Sequence, residues 1–193
     1  MTRVRKIFGS VLVIAVVASV TGGATFAKFT STTANSGSSF AAGTVFVQDD
    51  DAGGVLWNVS NQTPASASVV KCIRVTYSGS LDATVRLYAS NASGTVDQYL
   101  NLTIEKGTMP GSTTFPNCTS FSAQSTIFNG TLDGFKTGNT NFANGISAFP
   151  GAASKWTTND SVVYRFTISL QNAAYGAQGL TSTAGFTWEA QNQ

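Results

Sequence analysis

Histidine is absent from this 193-residue chain. Because histidine is the usual general base near neutral pH and a frequent metal ligand, its absence excludes Ser–His–Asp sites, Cys–His sites and the H-E-x-x-H zinc motif. The sequence also lacks a Walker loop and a G-x-G-x-x-G motif after a strand. Catalysis by two carboxylates is the route that the nine Asp and Glu residues leave open. The residue types favour a protein that is not an enzyme and needs no cofactor.

Charge is scarce as well, since 10% of the residues are charged. Beyond residue 27 the chain carries eight Lys and Arg against nine Asp and Glu. We therefore expect no basic surface for nucleic acid and no basic amphipathic helix for a membrane surface. Ser, Thr, Asn and Gly supply the polarity instead, and the first three favour extended structure because they compete with the helical backbone for hydrogen bonds.

One long apolar run is present, at the amino terminus. Three basic residues precede Ile7–Val20, an apolar segment of fourteen residues. It is shorter than the roughly 20 residues of a membrane-spanning helix and is typical of a secretory signal peptide. Thr25 and Ala27 provide the small residues of a cleavage site, so we predict a signal peptide over residues 1–27 with cleavage between Ala27 and Lys28. An uncleaved anchor is the alternative.

The sequence has two cysteines, Cys72 and Cys118, and both lie in the part predicted to be exported. An even pair outside the cell favours a disulfide over two free thiols. In the chain-entropy model a loop of this size stabilises the fold by roughly 4 kcal/mol. Two cysteines without histidine do not complete a tetrahedral zinc site.

Period-2 alternation of apolar and polar residues recurs from residue 43 to the end. With turn residues between the segments and no alternation of strands with helices, it predicts one all-β sandwich domain over residues 43–193. The first two segments are expected to pair around the turn Asp49–Gly54, and a shift of faces near Lys71 suggests a bulge. The predicted strands are Gly43–Gln48, Gly54–Ser60, Ser68–Gly79, Gly79–Ser90, Tyr99–Gly107, Ser161–Gln171 and Ala184–Gln191.

A long stretch rich in Gly and Asn, Phe128–Asp160, interrupts the strands. It predicts a loop insertion with one short helix at Leu132–Phe135.

Two features admit a binding role. Asp49, Asp50 and Asp51 are adjacent carboxylates that would suit Ca²⁺ together with loop carbonyls, but a solvated turn is the favoured interpretation, and no metal site is predicted. Several aromatic residues would suit a sugar platform, but aromatics on alternating strands are more often core. These are Trp57, Trp156, Phe166, Phe186 and Trp188.

Three stretches resemble the TasA/camelysin family of bacterial secreted proteins. The first is "GGATFAKFTSTTANSGSSFAAGTV" (Gly22–Val45), with a Gly-Gly-x-x-x-Ala processing pattern and the Phe-x-Ala-Gly-Thr segment at Phe40–Thr44. The second is "VKCIRVTYSGSLDATVRLY" (Val70–Tyr88). The third is "RFTISLQNAAYGAQGLTSTAGFTWEAQ" (Arg165–Gln191).

The resemblance implies a jelly-roll-like antiparallel sandwich, exported and trimmed by an ER-type signal peptidase. It also implies fibres in a biofilm matrix or at the cell surface, built head-to-tail from copies of the chain, with other matrix proteins as further partners. The mature amino-terminal segment, residues 28–42, would then be a donor strand that completes the next subunit's sheet. Within it, Lys28 is the new terminus and Phe29 and Phe40 would fix the register. Contact with the membrane is expected only before cleavage.

Three alternatives stand beside this hypothesis. Residues 28–42 are a polar spacer in the simplest one. Some family members are named metallopeptidases, an activity that a chain without histidine supports poorly. A monomeric surface-binding module is the third, with Asp49–Gly54 or Gly134–Ser147 as its binding loops.

Overall fold

The computed structural model describes residues 42–58, 62–111, 114–172 and 174–193. Among these residues, no helix has both the length and the apolar character needed to span a bilayer. The predicted signal peptide, the cleavage site at Ala27 and Lys28, and the donor-strand residues Phe29 and Phe40 lie outside the described residues.

Two antiparallel sheets make up the described part, which confirms the prediction of an all-β sandwich. One sheet has five strands in the order β1-β2-β7-β4-β5, and the other has three in the order β6-β3-β8. The strands are β1 Val47–Asp49, β2 Val69–Tyr77, β3 Ala83–Gly94, β4 Leu100–Thr108, β5 Ser122–Thr131, β6 Ile146–Ser147, β7 Ser161–Leu170 and β8 Ser182–Asn192. The helix α1 is Leu132–Gly138, and two short 3-10 helices are Asp97–Tyr99 and Tyr175–Ala177.

The core lies between the sheets, and the alternation of each strand determines which residues enter it. On β2, Ile73, Val75 and Tyr77 are buried in this core. Cys72 is also buried but on the opposite face, in a second small cluster with Met109 and Val163. The pairing of β2 with β7 runs from Val69 to Thr76 without a register shift, so the bulge predicted near Lys71 is wrong. The shift of faces arises because β2 is covered on both sides.

Five predicted strands are confirmed with small changes of boundary, namely β2, β3, β4, β7 and β8. The predicted hairpin between Gly43–Gln48 and Gly54–Ser60 is wrong. β1 is short and pairs with β2, and residues 54–58 form no strand. Ala52 and Gly53 both have positive φ, which turns the chain away from β1. Leu56 and Trp57 still pack against the core. The apolar pattern of this segment therefore indicated correctly that its side chains are buried, but not that its backbone pairs with a strand.

The stretch Phe128–Asp160 is less of a loop than the sequence indicated. It contains the end of β5, the predicted helix, which continues to Gly138, and β6. Thr131 caps α1, because its side chain accepts a hydrogen bond from the Gly134 N–H at 3.0 Å. Trp156 is fully buried and donates from its indole nitrogen to the Ala148 carbonyl at 2.8 Å. This stretch therefore contributes to the core.

Candidate functional site

The candidate site is the outer side of β8, which we call the open edge. Gln193 donates its backbone N–H to the Asp82 carbonyl, and β8 is paired with β3 in one register from Gly185 to Asn192. Because antiparallel neighbours alternate, the backbone N–H and C=O groups of Phe186, Trp188 and Ala190 point away from β3. Within the described ranges, no strand pairs with that side of β8.

The aromatic side chains of β8 pack into the core between the sheets. Phe186 packs on Phe166 and Phe135, with ring centroids 4.7 Å and 5.4 Å away. Trp188 lies 5.4 Å from the ring of Tyr164. Aromatic packing therefore anchors one face of β8 on the core, and the backbone edge of the strand is extended.

Trp57 covers the core beside the open edge. Its ring lies 5.5 Å from Phe186 and 6.1 Å from Phe166. Its segment forms no strand, so it shields apolar surface without pairing with the backbone of β8. Two tryptophans, Trp57 and Trp188, thus lie at this side of the sandwich. Their fluorescence can report whether a strand is bound at the open edge.

The polar face of β8 is nearly uncharged. Glu189 accepts a hydrogen bond from the Tyr88 hydroxyl at 2.8 Å and another from the Gln191 amide at 2.8 Å. The hydrogen bond to Glu189 raises the pKa of Tyr88, because the carboxylate stabilises the protonated phenol. Glu189 is the one charged residue in β8, so the strand carries few of the charges that proteins use to prevent pairing at an edge.

The other long edge strand, β5, is a poorer template. Its pairing with β4 has two register irregularities, one at Ile104/Glu105 and one at Lys106/Gly107. Such bulges increase the local twist and interrupt the regular spacing of the backbone groups. The edge strands β1 and β6 have three and two residues. By length and regularity, β8 is the edge that best fits another strand.

The outer side of β2, which we call the capped edge, is closed by side chains and loops. Cys72 donates its N–H to the Pro116 carbonyl at 3.1 Å. The Arg74 N–H donates to Asp50 Oδ1 at 2.8 Å, and the Arg74 carbonyl accepts from the Asp50 N–H at 3.1 Å. Further along, β1 pairs with β2. From Cys72 onward this edge has few backbone groups left for another chain.

The structure places two of the predicted features at the capped edge. The disulfide between Cys72 and Cys118 is present, with its Cα atoms 5.2 Å apart, and holds the loop that carries Pro116 against β2. The three aspartates lie at the end of β1, where Asp49 and Asp51 accept hydrogen bonds from nearby backbone N–H groups. Burial raises the pKa of Asp49, and the neighbouring Asp51 side chain adds to the rise, while the hydrogen bond from the Asp51 backbone N–H opposes it.

The donor set does not fit a catalytic metal. Every Asp, Glu and Cys of the chain is among the described residues, and these residues bring no three of them together as ligands. Both cysteines are oxidised to the disulfide. A catalytic zinc needs three protein ligands and an open position, usually with histidine among them. The aspartate cluster therefore stabilises the turn after β1 by accepting hydrogen bonds from its backbone N–H groups.

The sugar-platform interpretation fails for a different reason. Trp156 and Phe166 are fully buried, and Trp57, Phe186 and Trp188 pack against the core. Sequence reasoning missed one buried ion pair, Asp97 with Lys136. The two residues are 39 positions apart, and no local pattern connects them.

Half of the chain, residues 3–99, matches the family model described as camelysin metallo-endopeptidase. Among the described residues, the match runs through β1, β2 and β3 to the end of the first 3-10 helix. It confirms the resemblance to the TasA/camelysin family that the sequence indicated. A search of curated proteins found no match.

Proposed function

This chain belongs to the camelysin family, and we propose that it is a structural subunit of an extracellular fibre at a bacterial surface. In this proposal the signal peptide is removed by an ER-type signal peptidase between Ala27 and Lys28. The released segment, residues 28–42, then adds to the open edge of the next copy. The observation that carries the proposal is the nearly uncharged edge of β8, which is regular from Gly185 to Asn192, beyond the register irregularity at Ser90/Ser93.

The two partners are complementary in kind. Residues 28–42 contain mostly Ser, Thr, Ala, Asn and Gly, which can extend but bury little apolar surface alone. An exposed edge offers N–H and C=O groups that such a segment can satisfy. The five-stranded sheet faces a sheet of three described strands that ends at β8, so an added strand would extend the smaller sheet. Main-chain pairing gives affinity, and Phe29 and Phe40 would set the register.

The contact joins different surfaces of the two copies. The donor segment precedes the sandwich, and the acceptor is its last strand. A heterologous contact of this kind leaves a free donor and a free acceptor after each addition, so it builds a filament when the rotation does not close a ring. Before cleavage the tether at Ala27 would keep the donor at the membrane, and processing would start assembly.

The experiment compares protein that begins at Lys28 with protein that begins at Gly43, by negative-stain microscopy and size-exclusion chromatography. We expect filaments from the longer form and a folded monomer from the shorter one. The variants Phe29→Ala and Phe40→Ala in the longer form should assemble less, because the register contacts are lost. If both forms stay monomeric at high concentration, residues 28–42 are a spacer and the proposal is wrong.

A second candidate function comes from the family's description as a metallo-endopeptidase. The absence of histidine and the dispersed carboxylates argue against it. A protease assay on the protein that begins at Lys28, with and without a chelator, separates the two functions. Turnover that a chelator abolishes, and that follows the protein through purification, would replace the fibre proposal with this one.

A further inference from the structure

Asp97 and Lys136 form a buried pair away from both edges. The Lys136 ammonium contacts Asp97 Oδ2, and the side chains are 10% and 2% exposed. The other carboxylate oxygen of Asp97, Oδ1, is buried and has no hydrogen-bond partner within the described part of the chain. Asp97 is the one charged residue that is buried in the described part of the chain.

Two separate elements bring the pair together. Asp97 begins the 3-10 helix that links β3 to β4, and Lys136 lies in the last turn of α1, which follows β5. Leu132 and Phe135, which also belong to α1, are buried in the core. The pair therefore lies against the core, with a surface cavity on one side of Asp97.

An ion pair is energetically costly at this buried position. Moving both charges out of water costs free energy that the attraction between them recovers only when the remaining lone pairs also find donors. Oδ1 has no protein donor among the described residues, and an unpaired oxygen of a buried carboxylate is costly. The exposed pair of Lys155 and Asp82, 2.6 Å apart and about half exposed, has no such problem.

We propose that Asp97 and Lys136 are joined covalently, by an amide bond between Lys136 Nζ and Asp97 Cγ. The reacting forms are the carboxylic acid and the amine, which the contact pair reaches when the ammonium gives one proton to the carboxylate. The free amine then attacks Cγ, the C–N bond forms and the C–OH bond breaks. The hydroxyl leaves with one amine proton as a molecule of water. Charge and atoms balance, and no oxidant or cofactor takes part.

The surroundings suit this reaction. The fold holds nucleophile and electrophile in contact, which replaces an encounter in solution with an intramolecular step. A cavity of about 250 Å³ adjoins Asp97 and gives the departing water a way out, and it is lined by Gly94, Thr95, Asp97, Gln98 and Asp133. After the reaction, Oδ1 is the oxygen of a neutral amide, which costs less than a carboxylate oxygen when it is left unpaired.

The bond would tie the connection between β3 and β4 to the helix that follows β5. β3 belongs to the three-stranded sheet, whereas β4 and β5 belong to the other. Unlike the disulfide of Cys72 and Cys118, such a cross-link resists reductants. It is independent of the donor segment, so its presence or absence does not bear on the fibre proposal.

The test is the intact mass of protein that begins at Lys28, measured after reduction and denaturation. We expect a mass lower than the sequence requires by one molecule of water, and a protease digest that yields one branched peptide containing Asp97 and Lys136. The variants Asp97→Ala and Lys136→Arg should each have their full mass. The matched control Lys155→Arg, at the exposed pair, should keep the deficit.

Two results would overturn the proposal. A full mass for the unmodified sequence in folded protein would show that the pair is ionic only. A deficit that persists in Lys136→Arg, or that maps to another peptide, would assign the lost water to a different reaction. Because the unmodified chain is measured directly, the conclusion does not depend on whether the variants fold.

Discussion

The capped edge and the open edge meet the same physical problem in different ways. A strand at the side of a sheet presents backbone groups that other chains can pair with. At the capped edge, Pro116 and Asp50 take up the groups of Cys72 and Arg74, and the disulfide holds the covering loop. At the open edge, aromatic packing anchors one face of β8 on the core, and no described strand pairs with its outward backbone groups.

We therefore expect the capped edge to determine the stability of the fold and the open edge to determine assembly. Contacts at the capped edge lie within one chain, so changes there should lower the free energy of unfolding and leave assembly intact. Changes to the outward backbone of β8 should do the reverse.

The largest expected effect comes from removing the disulfide. The double variant Cys72→Ala with Cys118→Ala should lose about 4 kcal/mol of unfolding free energy, because the unfolded chain regains the freedom of a loop that spans 46 residues. Denaturant unfolding measures the loss. Filaments should still form under conditions where the variant is folded. A folded variant that no longer assembles would show that the two edges are coupled.

A smaller effect is expected from Asp50→Ala, which leaves the Arg74 N–H without its side-chain acceptor. The loss should be about 1 kcal/mol, since the position is partly buried and water replaces the carboxylate only in part. Asp51→Ala is the matched control in the same cluster. Its carboxylate accepts from Gly53 in an exposed turn, so about 0.5 kcal/mol or less should be lost. Equal losses would contradict the assigned role of Asp50.

The smallest effect is a dependence on pH at Asp49. Its folded-state pKa lies above the ordinary 3.8, so the folded state binds this proton more tightly than the unfolded state. Stability contributed by Asp49 is therefore greatest in acid and falls as the pH rises through the interval above 3.8. Asp49→Asn should flatten this part of the curve of unfolding free energy against pH. An unchanged slope would assign the dependence to other carboxylates.

Most of the strands that the sequence predicted correctly alternate strictly and bury one face, and the exception is β2, which is covered on both sides. On β4, Leu102 and Ile104 are fully buried, and their outward neighbours are polar. β5 was missed because its first five residues are exposed and carry no apolar alternation. Gly54–Ser60 was predicted as a strand because Leu56 and Trp57 are apolar at the right spacing, although they reach the core from an irregular segment.

The candidate site was predictable only in part. Residues 28–42 stand out in the sequence because they are polar, and the cysteine pair follows from number and context. Which strand lies at an open edge depends on the order of strands in the sheet, and a list of strands does not contain that order. The pair of Asp97 and Lys136 is likewise a product of topology, since β4 and β5 separate its members along the chain.

The most direct test of the open edge uses residues 28–42 as a separate synthetic peptide and the protein that begins at Gly43. Fluorescence of Trp57 and Trp188 follows the titration. The account predicts saturable one-to-one binding that Ala190→Pro abolishes, because proline removes an outward N–H that does not pair with β3. Circular dichroism and thermal unfolding confirm that this variant is folded. Absence of binding, or equal binding to folded Ala190→Pro, would contradict the assignment of the open edge as the acceptor.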